Sequence, residues 1–172
     1  MPGMGKVRCR RKRAHLAAVL LSSYLSVVGF ILPAQAAEEN FFDGLAAFDG
    51  GDVAETVRIW RLIAEAGDAN AQVGLAGLHL AGNGVQRDPR EAARLYRLAA
   101  EQGDSNGQLN LGRLYLDGLG VQQDIGAAYA WLTLAAQQGR RWAEEKRNEL
   151  EPTLSEAERS NAETLIADIE SR

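Results

Sequence analysis

The sequence predicts an all-α protein, an α-solenoid of stacked αα-hairpins ending in a C-terminal capping helix. The first observation is a near restatement: "GNGVQRDPREAARLYRLAAEQGD", Gly82 to Asp104, becomes "GLGVQQDIGAAYAWLTLAAQQGR", Gly118 to Arg140. The second is that the matches share one interval of 36 residues. Gly67, Gly103 and Gly139 follow it, as do Ala64, Ala100 and Ala136, Leu62, Leu98 and Leu134, and Asp52, Asp88 and Asp124. A fixed period in this range marks stacked supersecondary units. The third is that no β-branched run of period two occurs beyond residue 36, so strand signals are missing.

Residues 1–36 are expected to be a secretory signal peptide. Lys6, Arg8, Arg10, Arg11, Lys12 and Arg13 form a basic run, Leu16–Leu32 an apolar one, and Ala34-Gln35-Ala36 offers small residues at a cut. Cleavage after Ala36 is the expectation and an uncleaved anchor the alternative. A spanning helix needs about 20 apolar residues, and this run is slightly short. The whole chain has 19 basic and 23 acidic residues. Losing the six basic residues of the leader leaves 13 against 23, a net charge of −10 over the 136 residues from Ala37. Such a balance excludes a phosphate-backbone binder, which needs Lys and Arg to neutralise phosphates. It also argues against docking on anionic lipid. The single cysteine, Cys9, leaves with the leader, so no disulfide, thiolate metal site or cysteine nucleophile is expected.

Residues 37–172 form the solenoid. The N-terminal hairpin, 37–67, has the short turn Asp49-Gly50-Gly51-Asp52. The repeat at 68–103 reads as helix A from about Asp68 to Ala81 and helix B from about Asp88 to Gln102. Asp88 is placed to cap, Pro89 suits the first helical position, and Glu91 is expected to complete a capping box. Asp52 with Glu55 repeats the device. Asp124 keeps the cap, with Ala127 in the glutamate's place. Gly67 and Gly103 sit where a left-handed residue closes a helix, and each following aspartate can cap the next one. The repeat at 104–139 follows the same plan. Recurring Ala71, Ala92, Ala99, Ala100, Gly112, Ala128, Ala135 and Ala136 let helices approach closely. Leu75, Leu78, Leu95, Leu98, Leu111, Leu114, Trp131 and Leu134 are expected to fill the space between them. The segment 140–172 replaces the pattern with charge. It ends in a helix with a Ser155–Glu158 capping box and an apolar stripe of Ala162, Leu165, Ile166 and Ile169.

On these residues the chain resembles the SEL-one-like repeat family, relatives of the tetratricopeptide repeat with a longer inter-helix turn. The matching runs are "AQ…L…GNGVQRD…A…LY…AAEQG" from Ala71 and "GQ.NLG..Y..GLGVQQD…A…W…AAQQG" from Gly107. The first hairpin, with Gly44 and Gly51-Asp52, is more similar to an ordinary tetratricopeptide unit. Ala76, His79 and Ala71 depart from Gly112, Tyr115 and Gly107 at the same register. The resemblance implies a superhelix whose helix A surface faces partners, and an exported adaptor of bacterial envelope assemblies.

Catalytic and cofactor motifs are weak. Gly82-x-Gly84 and Gly118-x-Gly120 lack the third glycine of a dinucleotide loop, having Arg87 and Gln123 there, and follow helices rather than strands. His79 is the one histidine after the leader, so a histidine metal cluster is excluded, and it occupies a tyrosine-like packing position. Glu144, Glu145, Glu149 and Glu151 lie among Arg140, Arg141, Lys146 and Arg147, which reads as a solvated helix face. Trp60 and Trp131 share register with Tyr96 and Leu95, a core position. No catalytic residue, cofactor or metal is expected. The main expectation is a non-catalytic envelope scaffold, monomeric, binding a protein or peptide segment of an envelope component in the periplasm or outside the cell. The alternative is a cell-wall enzyme or sugar-binding protein using carboxylates and Trp. With the A helices aligned through Leu75, Leu111 and Arg147, the resemblance to tetratricopeptide-like units implies that Asn70, Val73 and Gly77, then Asn106, Leu109 and Arg113 with Leu116 and Asp117 beyond, lie on the concave partner face. Trp142, Glu145 and Glu149 extend it. Trp142 has a second possible place, packed under the C-terminal helix against Leu165 and Ile169.

Overall fold

The computed structural model describes residues 39–172; the expected leader lies outside the described residues. Among the described residues eight α-helices follow one another: α1 Phe41–Asp49, α2 Val53–Glu65, α3 Ala69–Ala81, α4 Pro89–Glu101, α5 Ser105–Asp117, α6 Ile125–Gln137, α7 Arg141–Leu150 and α8 Glu156–Glu170. A 3-10 turn, Glu151–Thr153, joins the last two. No strand occurs among the described residues.

Aspartates set the helix starts. Asp52, Asp68, Asp88, Asp104 and Asp124 each accept a hydrogen bond from a backbone N–H in the first turn of α2 to α6. Each such cap contributes about 1 kcal/mol. Two of the expected capping boxes do not close. Glu91 gives both carboxylate oxygens to Arg94 at 2.6 and 2.8 Å, and Glu55 does the same with Arg58 at 2.7 and 2.8 Å. A bidentate, charge-assisted pair outcompetes one neutral N–H. The arginines accordingly hold both carboxyls below the usual glutamate range. The Ser155–Glu158 box closes, and an unanticipated Asn40–Asp43 box starts α1.

The helices pair as hairpins α1/α2, α3/α4 and α5/α6; α2 packs on α3, α4 on α5, and α6 on both α7 and α8. The odd-numbered helices α1, α3, α5 and α7 form one layer, and α2, α4 and α6 the other. Within the first layer α3 also touches α5. The two layers meet through small residues: Ala71, Ala92, Ala99, Ala100, Ala128 and Ala135 are fully buried. Trp60, Tyr96 and Trp131 fill the core between them, whereas Leu98, expected there, is 37% exposed because no helix covers α4 as α8 covers α6. The Trp60 ring stacks on Phe41, centroids 5.3 Å apart, and its Nε1 donates to the Phe41 carbonyl at 3.2 Å. That contact ties the first hairpin together.

A polar clasp also repeats with the period. The Gln72 amide donates to the Ala64 carbonyl at 3.2 Å and its oxygen accepts from Gln102 at 2.8 Å. One unit later, Gln108 donates to the Ala100 carbonyl at 3.4 Å and accepts from Gln138 at 2.9 Å. Gln72 and Gln108 are buried, so these bonds satisfy groups whose desolvation would otherwise cost about 1–3 kcal/mol each. The inter-helix linkers press on the preceding unit. Gly120, at φ +76°, lies where a Cβ would stand 2.0 Å from the Pro89 carbonyl oxygen at the start of α4. Only glycine meets both demands.

The rhythm stops at α7. Arg140 stands in the capping aspartate's place and makes no side-chain cap, and Arg147 takes the place of Leu75 and Leu111. Helix α8 then covers α6, burying Ala162 and packing Leu165, Ile166 and Ile169 on the main core. None of the described helices is long and apolar enough to cross a membrane.

Candidate functional site

Helices α5 and α7, both of the odd-numbered layer, leave a groove of about 520 Å³ between them. It is lined by Arg113, Leu116, Asp117, Trp142, Lys146, Glu149 and Leu150. The register explains its position. On α5 Arg113 lies three and four residues from Leu116 and Asp117, and on α7 Lys146 lies three or four residues from Trp142, Glu149 and Leu150, so each set shares one helix face. Trp142 is 41% exposed, and the Arg113 guanidinium lies over its ring, 5.4 Å from the centroid. An exposed cation–π pair of this kind contributes about 0.5–1 kcal/mol and fixes the indole's orientation. Leu165 and Ile169 pack on the main core instead, so the place under α8 is not the one Trp142 takes.

Below the groove, Leu109, Leu116 and Leu150 pack on a small cluster of Leu132, Ala135 and Ala143. The Leu116 carbonyl accepts from the Gln123 amide at 2.6 Å, which holds the end of α5. Formal charges balance across the rim: Arg113 and Lys146 against Asp117 and Glu149, with Lys146 paired to Glu149. An apolar floor, an oriented aromatic and a balanced polar rim suit a peptide segment carrying both apolar and polar groups.

Of the residues expected on the partner face, Arg113, Leu116, Asp117 and Trp142 meet in this groove. Leu109 supports it from beneath. Asn70 is exposed on α3, Val73 is half-buried against the main core, and the Asn106 carbonyl accepts from the Asn110 side chain at 2.9 Å. None of these three lines the groove. Lys146 and Leu150 were missed, although their spacing from Trp142, four and eight residues along one helix, places them on its face.

The remaining candidates fall where packing and solvation put them. Glu145 pairs with Arg141, and Glu151 with Arg159, on exposed surface. His79 and its counterpart Tyr115 are half-buried, and the His79 Nδ1 has no hydrogen-bond partner among the described residues. No group of His, Cys, Asp or Glu among the described residues is arranged to hold a metal.

A family model described as Sel1 repeat matches residues 69–104 and 105–139. Among solved structures, the crystal structure of a Sel1 repeat protein from Oxalobacter formigenes is 31% identical with a TM-score of 0.61. That likeness covers 67% of this chain and 92% of the other. The chain belongs to the Sel1 repeat family. A protective antigen present in uropathogenic Escherichia coli strains, displaying an SLR fold, is 33% identical with a TM-score of 0.70 over 78% of this chain. This chain spans 29% of that antigen's length. No curated protein matches it. Sel1 repeats typically act as protein–protein interaction scaffolds and are generally non-catalytic. In this Sel1 repeat protein the groove between α5 and α7 gathers Arg113, Leu116, Asp117 and Trp142 of the residues expected on the partner face.

Proposed function

We propose that this Sel1 repeat protein is an exported, non-catalytic scaffold that binds a protein segment of the bacterial cell envelope in the α5–α7 groove. The observation that carries the reading is the Arg113–Trp142 pair, half-exposed over an apolar floor. Tryptophan and arginine are the residues that most often dominate binding energy at interfaces. Export is supported by the basic run, apolar run and Ala34-Gln35-Ala36 at the start of the chain. N-terminal sequencing of the protein from intact cells tests it; a first residue of Ala37 agrees, and a Met1 chain held in membranes does not.

Binding is tested with the purified protein as bait in envelope extract, followed by direct titration of the captured protein. Trp142→Ala and Arg113→Ala should each weaken that complex, the former by about 2 kcal/mol or more, roughly thirtyfold. Asn70→Ala, on a neighbouring helix outside the groove, should leave it unchanged. Equal affinity of all three variants would move the binding face elsewhere. Incubation with cell-wall fragments should yield no new products; turnover lost in Glu149→Gln would make the groove an active site.

A further inference from the structure

The other layer of the molecule holds a second cleft, of about 540 Å³, between α2 and α4 with α3 as its floor. Arg61, His79, Arg94, Leu95 and Leu98 are among the residues that line it. The repeat supplies a reference for this site within the same chain. Thirty-six residues on, those five positions hold Arg97, Tyr115, Ala130, Trp131 and Leu134. There the Trp131 indole is 3% exposed and Leu134 4% exposed. The Tyr115 hydroxyl accepts a hydrogen bond from Arg97 at 2.7 Å, and the guanidinium lies 6.0 Å from the phenol ring centroid.

The earlier copy keeps the arginine and the leucine but not their partners. Leu95 replaces the indole and His79 replaces the phenol. Leu98 is 37% exposed, against 4% for its counterpart. Among the described residues Arg61 has no acceptor within hydrogen-bond reach, while Arg94 is already tied to Glu91. In the later copy α8 also covers α6 at Trp131 and Leu134, a cover that α4 lacks. Leu98 is thus left open, and Arg61 lacks the phenol oxygen that accepts from Arg97. Charge narrows the choice further. Glu65 and Glu91 line the cleft with Arg61 and Arg94, so the formal charges cancel and a neutral ligand is favoured over an anion. The volume is in the range of small-ligand sites, which are apolar with a few fixed polar groups.

We propose that the α2–α4 cleft binds a neutral phenolic group, its ring seated over Leu95 and Leu98 and its hydroxyl oxygen accepting a hydrogen bond from Arg61. This site is separate from the α5–α7 groove and stands independently of the scaffold reading. The same chemistry can be offered by a tyrosine of a polypeptide or by a free phenol, and the probes separate the two.

The test is titration of the ¹⁵N-labelled protein by NMR with N-acetyl-tyrosinamide, N-acetyl-phenylalaninamide and 4-methylphenol. Saturable shifts at Arg61 and Leu98 are expected, with the tyrosine probe about tenfold tighter than its phenylalanine analogue, as a hydrogen bond to a charged donor implies. A tyrosinamide that outcompetes 4-methylphenol assigns a polypeptide source, and the reverse order a free phenol. Arg61→Gln, at an exposed position, should bring the tyrosine probe down to the phenylalanine level without changing the melt. The pair Leu95→Trp and His79→Tyr, which copies the later unit, should abolish binding and raise the melting temperature. If that pair does not fold, His79→Tyr alone should weaken the tyrosine probe by supplying Arg61 with an internal acceptor. No saturable shift at the cleft with either phenol, or equal affinity for the tyrosine and phenylalanine probes, overturns the proposal. So does an unchanged ratio in Arg61→Gln.

Discussion

Two glycines three residues apart on α3 should respond to the same substitution with opposite signs. Alanine is more favourable than glycine in a helix interior by about 1 kcal/mol, and both Gly74 and Gly77 lie inside α3. At Gly77 an added Cβ would meet nothing closer than the Tyr96 hydroxyl at 3.8 Å. Gly77→Ala should therefore stabilise the protein by about 0.5–1 kcal/mol. At Gly74 the same atom would stand 2.8 Å from Cε3 and Cζ3 of Trp60. The indole cannot retreat, because Phe41 stacks on it and a Cβ at Gly44, on α1, would stand 2.3 Å from its Nε1. Overpacking of this kind costs about 1–3 kcal/mol, which cancels or exceeds the helical gain. The net effect of Gly74→Ala is then from about zero to 2 kcal/mol destabilising. Thermal melts of the two variants beside the parent should separate by several degrees, at roughly 4 °C per kcal/mol for a domain of this size. A Gly74→Ala protein as stable as Gly77→Ala would refute the placement of Trp60 between α1 and α3.

Trp142→Ala should cost only on the order of 1–2 kcal/mol in a urea melt, since the indole is partly exposed and loses mainly its contact with Arg113; a loss of 3–5 kcal/mol is the signature of a buried tryptophan and would place it in a core. Gln108→Leu should destabilise by about 1–3 kcal/mol, because the buried Ala100 carbonyl and the Gln138 amide both lose this partner. Ser155→Ala should cost about 0.5–2 kcal/mol through the lost cap. It should also return the Glu158 carboxyl, which hydrogen bonds from Ser155 hold below the usual range, towards its ordinary pKa in an NMR titration. A carboxyl with a depressed folded pKa stabilises above its unfolded pKa, and that contribution is lost as pH falls through the folded one. The stability gap between parent and Ser155→Ala should thus narrow in acid.

The sequence by itself determined the all-helical repeat and, for α3 and α4, their ends to within a residue. The reason is local: capping aspartates, closing glycines and small apolar residues act within one or two turns, and the interval of 36 residues repeats them in register. The groove between α5 and α7 was legible in part. Arg113, Leu116, Asp117 and Trp142 came from extending that register into α7, and Lys146 and Leu150 were recoverable from the same helix periodicity. Asn70, Val73 and Asn106 fell outside the groove because equivalent register does not mean equivalent surroundings. Asn70 and Val73 stand on α3 among regular repeat helices and Asn106 lies in the first turn of α5, whereas Arg113 faces a last unit that breaks the pattern. Competition between partners was not legible either. Glu55 and Glu91 stand at capping-box spacing, yet each turns to an arginine three residues on, because two bonds from a charged guanidinium exceed one from a neutral backbone N–H. Three-dimensional packing alone decided that Trp142 lies over Arg113 rather than beneath α8. Helix α8 runs along α6, and its stripe of Leu165, Ile166 and Ile169 goes to the main core. No local signal encodes which of two apolar surfaces a helix will cover, because burial is non-directional and is settled by the geometry of the whole stack.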